Sequence, residues 1–206
     1  MKIGVISDIH CNASALRRVL EEMPPVDHLL CAGDLVNQYG FSNEVFDLVD
    51  EFHIQFIQGN HEDTLLNNTN RRIFTQNLIN PSHLEKVSSA PDSMELLFNG
   101  TSILMVHGSP WDHLKEYIFP NSYKLKMFEG LGFDIVIMGH THIPMVKKIG
   151  EVILLNPGSC SAPRDGDPRS SYAIIDTHHR EVYVERSSYN VEQESVLSIL
   201  KEMKKQ

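Results

Sequence analysis

Five short apolar runs, each stopping at a cluster of small or polar residues, constrain this chain more than any other feature. They are Ile3-Gly4-Val5-Ile6, Leu29-Leu30-Cys31-Ala32, Ile54-Gln55-Phe56-Ile57, Ile103-Leu104-Met105-Val106 and Ile135-Val136-Ile137-Met138. Runs this short, largely without alternation and bounded by turn residues, read as strands buried on both faces. Between the first two, Leu16, Val19, Leu20 and Met23 recur at helical spacing until Pro24-Pro25 ends the pattern. Val45, Phe46, Val49 and Phe52 recur similarly before the third. The opening therefore reads β-α-β-α-β.

The middle of the chain changes character. Residues 62–92 are polar, with weak helical patterns over 71–78 and 81–87 that predict helices lying over a sheet. Segments 94–98 and 101–106 flank Asn99-Gly100, a strong hairpin signal, so two antiparallel strands are expected there. A helix is expected over 123–131, and strands over 152–155, 172–176 and 181–186. Val196, Leu200 and Met203 predict a last helix, with Lys201, Lys204 and Lys205 complementing its carboxyl-end dipole. No repeat, low-complexity stretch or linker interrupts the 206 residues, which predicts a single α/β domain over 1–206 built on two sheets.

Composition narrows the class of function. Eighteen basic against twenty-seven acidic residues leave a net charge of −9, the wrong sign for stable nucleic-acid binding, though a small phosphorylated substrate fits. No run is long enough to span a membrane. The apolar stretch at the amino terminus is too short for a signal-peptide core and runs into Asp8, so a cytoplasmic location is expected. Cys11, Cys31 and Cys160 form no C-x-x-C pair, which indicates reduced thiols rather than a disulfide framework or a zinc ribbon. The phosphate-binding, dinucleotide and serine-hydrolase fingerprints are absent.

The strongest ligand-type residues stand immediately after the apolar runs: Asp8 and His10, then Asp34, then Asn60 and His61, then His107, then His140 and His142. A lone Asp there is ordinarily a turn or cap residue, and a lone His an ordinary structural group. Agreement at five strand ends is different, because ligands of open α/β sheets bind beyond the strand carboxyl ends. Two divalent ions about 3.5–4 Å apart can clamp a phosphoryl oxygen and activate a water if a carboxylate bridges them and imidazoles complete the set. Asp34 is the natural bridge. Asp8 and His10, one residue apart, can reach one ion, and the 139–142 turn can offer its two imidazoles to different ions. His28, His53, His83, His113, His178 and His179 lack this placement and read as solvated or structural.

Ser7-Asp8-Ile9-His10, Ala32-Gly33-Asp34, Gly59-Asn60-His61-Glu62, Val106-His107-Gly108 and Gly139-His140-Thr141-His142 together resemble the motif series of the calcineurin-like metallophosphoesterase superfamily. Asn156-Pro157-Gly158-Ser159 and the 163–169 segment are similar to a small prokaryotic phosphodiesterase subgroup. The resemblance implies a four-layer α-β-β-α sandwich, with two mixed β-sheets flanked by helices and a metal site at the strand carboxyl ends. It implies one metal on Asp8, His10, Asp34 and His142, and a second on Asp34, Asn60, His107 and His140. Oxygen and imidazole donors suit manganese, iron, zinc, cobalt or nickel.

The same resemblance gives His61 the role of general acid at the leaving group, with in-line attack on phosphorus by a metal-bound hydroxide. Asn12, Ser159 and Arg164 stand where substrate contacts occur, although Asn12 also suits a helix cap and Arg164 a pairing with a loop aspartate. The activity implied is a phosphodiesterase; the alternatives are a phosphomonoesterase or protein phosphatase, or a scaffold that has lost catalysis. Cys11 departs from the subgroup, which usually has glycine after the Asp-x-His histidine, and a thiol there could meet the metals. Cys160, beside Ser159, is a second and milder departure.

Overall fold

The computed structural model describes residues 1–67 and 79–194. The first half follows the expected order: β1 (Lys2–Ile6), α1 (Ala13–Glu22), β2 (His28–Cys31), α2 (Asn43–Glu51) and β3 (Gln55–Phe56). Then come α3 (Asn60–Asn67), α4 (Pro81–Ser89), β4 (Ser93–Phe98), β5 (Thr101–Val106), a 3₁₀ helix (Tyr123–Phe128), β6 (Ile135–Ile137), β7 (Met145–Ile149), β8 (Val152–Asn156), β9 (Arg169–Asp176) and β10 (Glu181–Asn190). The helices expected over 71–78 and around 196–203 lie outside the described residues.

The strands form two mixed five-stranded sheets, in the orders β10-β9-β1-β2-β3 and β4-β5-β6-β8-β7. In the first, β1, β2 and β3 run parallel while β9 is antiparallel to β1 and β10. In the second, β5, β6 and β8 run parallel with β4 and β7 antiparallel at the edges. Between the sheets, Ile3, Val5, Leu30 and Ile57 meet Ile103, Met105, Ile135, Ile137 and Leu155. The outer face of the first sheet carries Ile6 and Cys31 against Leu16 and Val19 of α1, Val45 and Phe46 of α2, and Val87 of α4. Val106, Val136 and Leu154 form the outer face of the second sheet, covered by Leu125 and Phe128 of the 3₁₀ helix and by Ile118. Burying each such side chain contributes about 1.5–3 kcal/mol. A one-residue slip of any central strand would exchange its two apolar faces, so the register is tightly specified.

Local chemistry explains the agreements and the departures. Asn99 and Gly100 take φ of 49° and 80°, the type I′ turn that lets β4 and β5 pair as expected. Asn12, Ser42 and Asn80 cap α1, α2 and α4 through their side-chain oxygens. The helix expected over 123–131 is only a 3₁₀ turn over Tyr123–Phe128, because Gly130 and Gly132 take left-handed φ. β7 has no expected counterpart: it is an edge strand with only Met145 buried and Lys147 and Lys148 exposed, so it carries little apolar alternation. α3 was likewise absent from the sequence expectation. It buries only Glu62 and Leu65, one of them a carboxylate, so its periodicity is weak. Among the described residues no helix is long and apolar enough to cross a membrane.

Candidate metal centre

The parallel strands of both sheets deliver their carboxyl ends to one edge of the sandwich. Asp8, His10, Asp34 and His142 bring ligand atoms within 4.8 Å of one another, and Asp34, His107 and His140 do the same. Asn60 joins the second group, its Oδ1 lying 3.0 Å from His107 Nε2. All seven candidate ligands therefore converge, with Asp34 common to both groups. The backbone bends sharply to achieve this. Of nine non-glycine residues with positive φ among the described residues, five are candidate ligands: Asp8, His10, Asp34, His140 and His142. Cys11, at +63°, is a sixth from the same edge. Left-handed backbone costs a β-carbon-bearing residue about 1–2 kcal/mol, so this concentration of strain marks a functional edge.

Asp34 is held by its Oδ1, which accepts the His61 N–H at 2.9 Å at the start of α3, where the helix dipole favours an anion. Its Oδ2 faces inward, 3.3 Å from His107 Nε2 and 3.9 Å from His10 Nε2. Gly59 is obligatory beside it, because a β-carbon there would collide with the Asp34 carboxylate and amide. Asp8 Oδ2 accepts the His140 N–H at 3.2 Å, while Asp8 Oδ1 is buried with no hydrogen-bond partner.

The imidazoles are oriented from behind. His107 Nδ1–H donates to Ala32 O at 2.7 Å, His142 Nδ1–H to Ala162 O at 2.6 Å, and His140 Nε2–H to Lys115 O at 3.2 Å. In the neutral rings of His107 and His142, Nε2 is then a bare lone pair. His107 Nε2 nevertheless faces the oxygens of Asn60 and Asp34, and His142 Nε2 lies 3.1 Å from Asp8 Oδ1 and 3.2 Å from His10 Nε2. Acceptors facing acceptors require a positive charge between them, a proton in the cation-free cluster or a metal ion in the loaded one. A divalent cation in each group would meet that demand, and the backbone-anchored rings are the arrangement that metal-ligating histidines adopt.

The electrostatics agree. Burial works against ionising Asp34, yet His107, His10 and His61 hold its carboxyl well below the usual range. Asp8 is also lowered: burial opposes ionisation, but the His142 contact and the charges of His107 and His142 outweigh it. Burial disfavours a charged His107, but the Asp34 and Asp8 carboxylates push it up to about 10. Burial and His107 together bring His140 down to about 4. Two anionic carboxylates thus draw positive charge to the middle of the cluster.

The residues around the cluster sort by what their atoms already do. His61 Nδ1 accepts the Gln38 N–H at 2.9 Å, which leaves its hydrogen on Nε2, 3.9 Å from Asp34 Oδ2. Arg164 is exposed on the loop whose backbone holds His142, and its own N–H donates to His142 O at 3.1 Å. Asp165 pairs with Arg186, and Asp167 with Arg169 and Arg186, so neither engages Arg164. Ser159, expected among the substrate contacts, is instead fully buried: its hydroxyl donates to Asp8 O at 2.7 Å and accepts the Ser161 and Ala162 N–H groups. With that geometry it supports the Asp8 turn. Asn12 Oδ1 is occupied as the α1 cap, 3.0 Å from Ala15 N. Cys11 joins neither ligand group, and burial pushes its thiol up to about 11. His83, on α4, stacks on Phe46 of α2 and joins neither ligand group.

Glu62 is a working residue that the sequence reading left unassigned. It is fully buried and accepts three backbone N–H groups, from Asp34 and Gly59 on Oε2 at 2.9 and 2.8 Å and from Val36 on Oε1 at 2.9 Å. It ties the Asp34 loop to the Asn60 loop. Burial and the Asp34 carboxylate push it up to about 7, against the pull of the Val36 and Gly59 amides. An acidic residue at the third position of a helix, reaching back to the cap N–H, is half of a capping box, a signal available from sequence.

A two-sheet sandwich with an Asp/His/Asn cluster at the strand ends defines a metal-binding phosphoesterase architecture, and comparison with known proteins agrees. The chain belongs to the calcineurin-like phosphoesterase superfamily, whose domain model matches residues 1–180. An uncharacterized protein of Methanocaldococcus jannaschii is 28% identical over 217 aligned positions, covering 92% of this chain and 88% of that protein. A phosphodiesterase of the same organism is 25% identical, covering 88% and 96% respectively. The crystal structure of a metallophosphoesterase from Sphaerobacter thermophilus superposes with a TM-score of 0.79 at 28% identity, covering 94% of this chain and 90% of that one.

Proposed function

We propose that this protein is a metal-dependent phosphodiesterase using two divalent ions. Asp8, His10, Asp34 and His142 would hold one, and Asp34, Asn60, His107 and His140 the other. The observation that carries this reading is the shared Asp34, whose inward Oδ2 stands between two groups of otherwise separate donors. When bound, such a pair supplies Lewis acidity, an activated water and neutralisation of phosphoryl charge. The donors are oxygen and imidazole without thiolate, which suits manganese, iron, zinc, cobalt or nickel.

The chain's own residues account for the rest of the chemistry. Glu62 and the start of α3 keep Asp34 aimed into the cluster. The backbone carbonyls of Ala32, Ala162 and Lys115 fix three imidazoles before any substrate arrives, so little reorganisation accompanies the reaction. His61 presents Nε2–H toward the cluster and is the residue assigned to the leaving-group oxygen, as general acid. Arg164, exposed on the loop whose backbone bonds to His142 O, is the residue assigned to a substrate phosphate or to a second substituent on it. A diester is preferred over a monoester because a relative that covers 88% of the chain is named a phosphodiesterase.

Hydrolysis of a chromogenic diester by chelator-treated protein, with and without added manganese, tests the reading. Turnover that appears with the metal and is lost in Asp34→Ala supports it. No hydrolysis of diesters or monoesters with any of the five metals, despite tight binding of two equivalents, would refute it in favour of a non-catalytic scaffold.

A further inference from the structure

The segment after His107 carries aromatic surface that the catalytic reading does not use. Of the eight exposed large apolar side chains among the described residues, five fall between 111 and 127: Trp111, Tyr117, Phe119, Tyr123 and Met127. Two of these belong to the metal centre's rim. The Tyr117 ring stacks on that of His140, a candidate ligand, with centroids 3.8 Å apart and planes 26° apart. Phe119 continues the stack, parallel to Tyr117 within 7° at 5.8 Å. Both rings stay open to solvent, Tyr117 at 47% and Phe119 at 40% exposure.

The loop that holds these rings is firmly built. Gly108 N–H donates to His113 O at 2.6 Å and Ser109 N–H to Asp112 O at 2.9 Å. Glu116 takes the Ser109 hydroxyl on one oxygen and the Lys124 ammonium on the other, and Lys115 O receives the His140 Nε2–H. Anchors on both sides of position 117 therefore hold two half-bare aromatic rings beside the reacting edge. Contiguous exposed apolar surface held at a fixed place beside a polar site marks a binding surface.

We propose that Tyr117 and Phe119 are specificity-determining residues, a stacking shelf that receives a planar aromatic or heteroaromatic group carried by the phosphoester. The substrate class is then phosphoesters of aryl alcohols or nucleosides rather than of alkyl or polyol groups. This rests on the phosphoesterase reading of the adjacent cluster. The shelf recognises a π-face in preference to a hydrogen-bonding edge, since stacking is sequence-tolerant and every nucleobase or aryl ring presents such a face. Tyr117 adds a phenolic hydroxyl at the rim, whereas Phe119 contributes only its ring.

Three diesters that share an ethanethiol leaving group, and differ in carrying butyl, phenyl or thymidin-5′-yl on the other oxygen, separate the possibilities. Thiol release is measured with the manganese-loaded protein. The shelf requires higher kcat/KM for the phenyl and thymidyl esters than for the butyl ester. It also requires Phe119→Leu to reduce that preference by about 5- to 150-fold, the range that removal of one aromatic stack produces, mainly through KM. Loss confined to the thymidyl ester assigns the shelf to nucleosides; equal loss for phenyl and thymidyl assigns it to aryl groups in general. A preference unchanged in Phe119→Leu and in Tyr117→Leu overturns the proposal.

A binding measurement keeps the two readings separable. Titration of wild type and Phe119→Leu with thymidine 5′-monophosphate and with butyl phosphate reports the shelf without turnover. If no diester is hydrolysed but Phe119→Leu selectively weakens thymidine monophosphate, the phosphoesterase reading fails and the shelf stands. If hydrolysis proceeds with no aromatic preference and both ligands bind alike, the shelf fails and the phosphoesterase reading stands. Metal content is measured in Tyr117→Leu, because that ring also touches His140.

Discussion

Replacing Glu62 by glutamine removes one charge and little volume from the junction between the Asp34 and Asn60 loops, and the consequences follow from three hydrogen bonds. In the native protein one carboxylate oxygen receives the Asp34 and Gly59 N–H groups, and the other receives that of Val36. Bonds to an ionised group are worth about 1.5–3 kcal/mol each and neutral ones about 1 kcal/mol. A glutamine with its oxygen placed toward Asp34 and Gly59 keeps two bonds at reduced strength, losing about 1 kcal/mol apiece. Its amide then points hydrogens at the Val36 N–H, and a buried donor left unpaired costs about 1–3 kcal/mol. That loss of about 3–5 kcal/mol is partly offset at pH 8.5, because a neutral amide escapes the burial and Asp34 repulsion that push the carboxyl up to about 7, so Glu62→Gln should lose about 1–2 kcal/mol net. Urea unfolding at pH 8.5, above the pH at which the buried carboxyl titrates, reads the difference as a shift in midpoint. The Asp34 loop should loosen with it, and both metal equivalents should bind more weakly. A midpoint at or above that of wild type, with undiminished metal affinity, would refute the argument.

Three further outcomes follow from the same geometry. Asp34→Ala should lose both metals and turnover, whereas Asn60→Ala should mainly weaken one metal and His83→Ala neither; elemental analysis decides, and two tight equivalents in Asp34→Ala would contradict the bridging role. His61→Asn should keep both metals and lose about 10²–10⁴-fold on alkyl or nucleoside diesters but less on nitrophenyl esters, whose leaving group needs no proton. Equal losses would instead show that the ring orients the phosphate or stabilises its charge rather than protonating the leaving group. Cys11→Gly should preserve metal content and activity, since relief of a left-handed backbone offsets the lost packing of a half-buried thiol; a large fall in metal content would place the sulfur in the site.

Much of the molecule was legible in the residue order because its signals are local. A strand buried on both faces must be a short apolar run, so β1, β2, β5 and β6 announced themselves, and Asn99-Gly100 has few uses besides a type I′ turn. The placement of Asp8, Asp34, His107 and His140 just beyond such runs made convergence at one edge predictable, because parallel strands end on the same side. Elements that bury little escaped: β7 at a sheet edge, and α3, whose inward-facing residues include a carboxylate. Other features depended on residues far apart in the chain. His10 meets His142 across 132 positions, and His107 reaches Ala32 across 75. Which donors share a cation, which carbonyl fixes each imidazole and which ring covers His140 are set by how the two sheets pack. The sequence alone therefore determined the donor types and the strands that carry them. The family resemblance implied how those donors group, but only the tertiary structure brings each group together, because side-chain packing between sheets is a property of distances that no local pattern encodes.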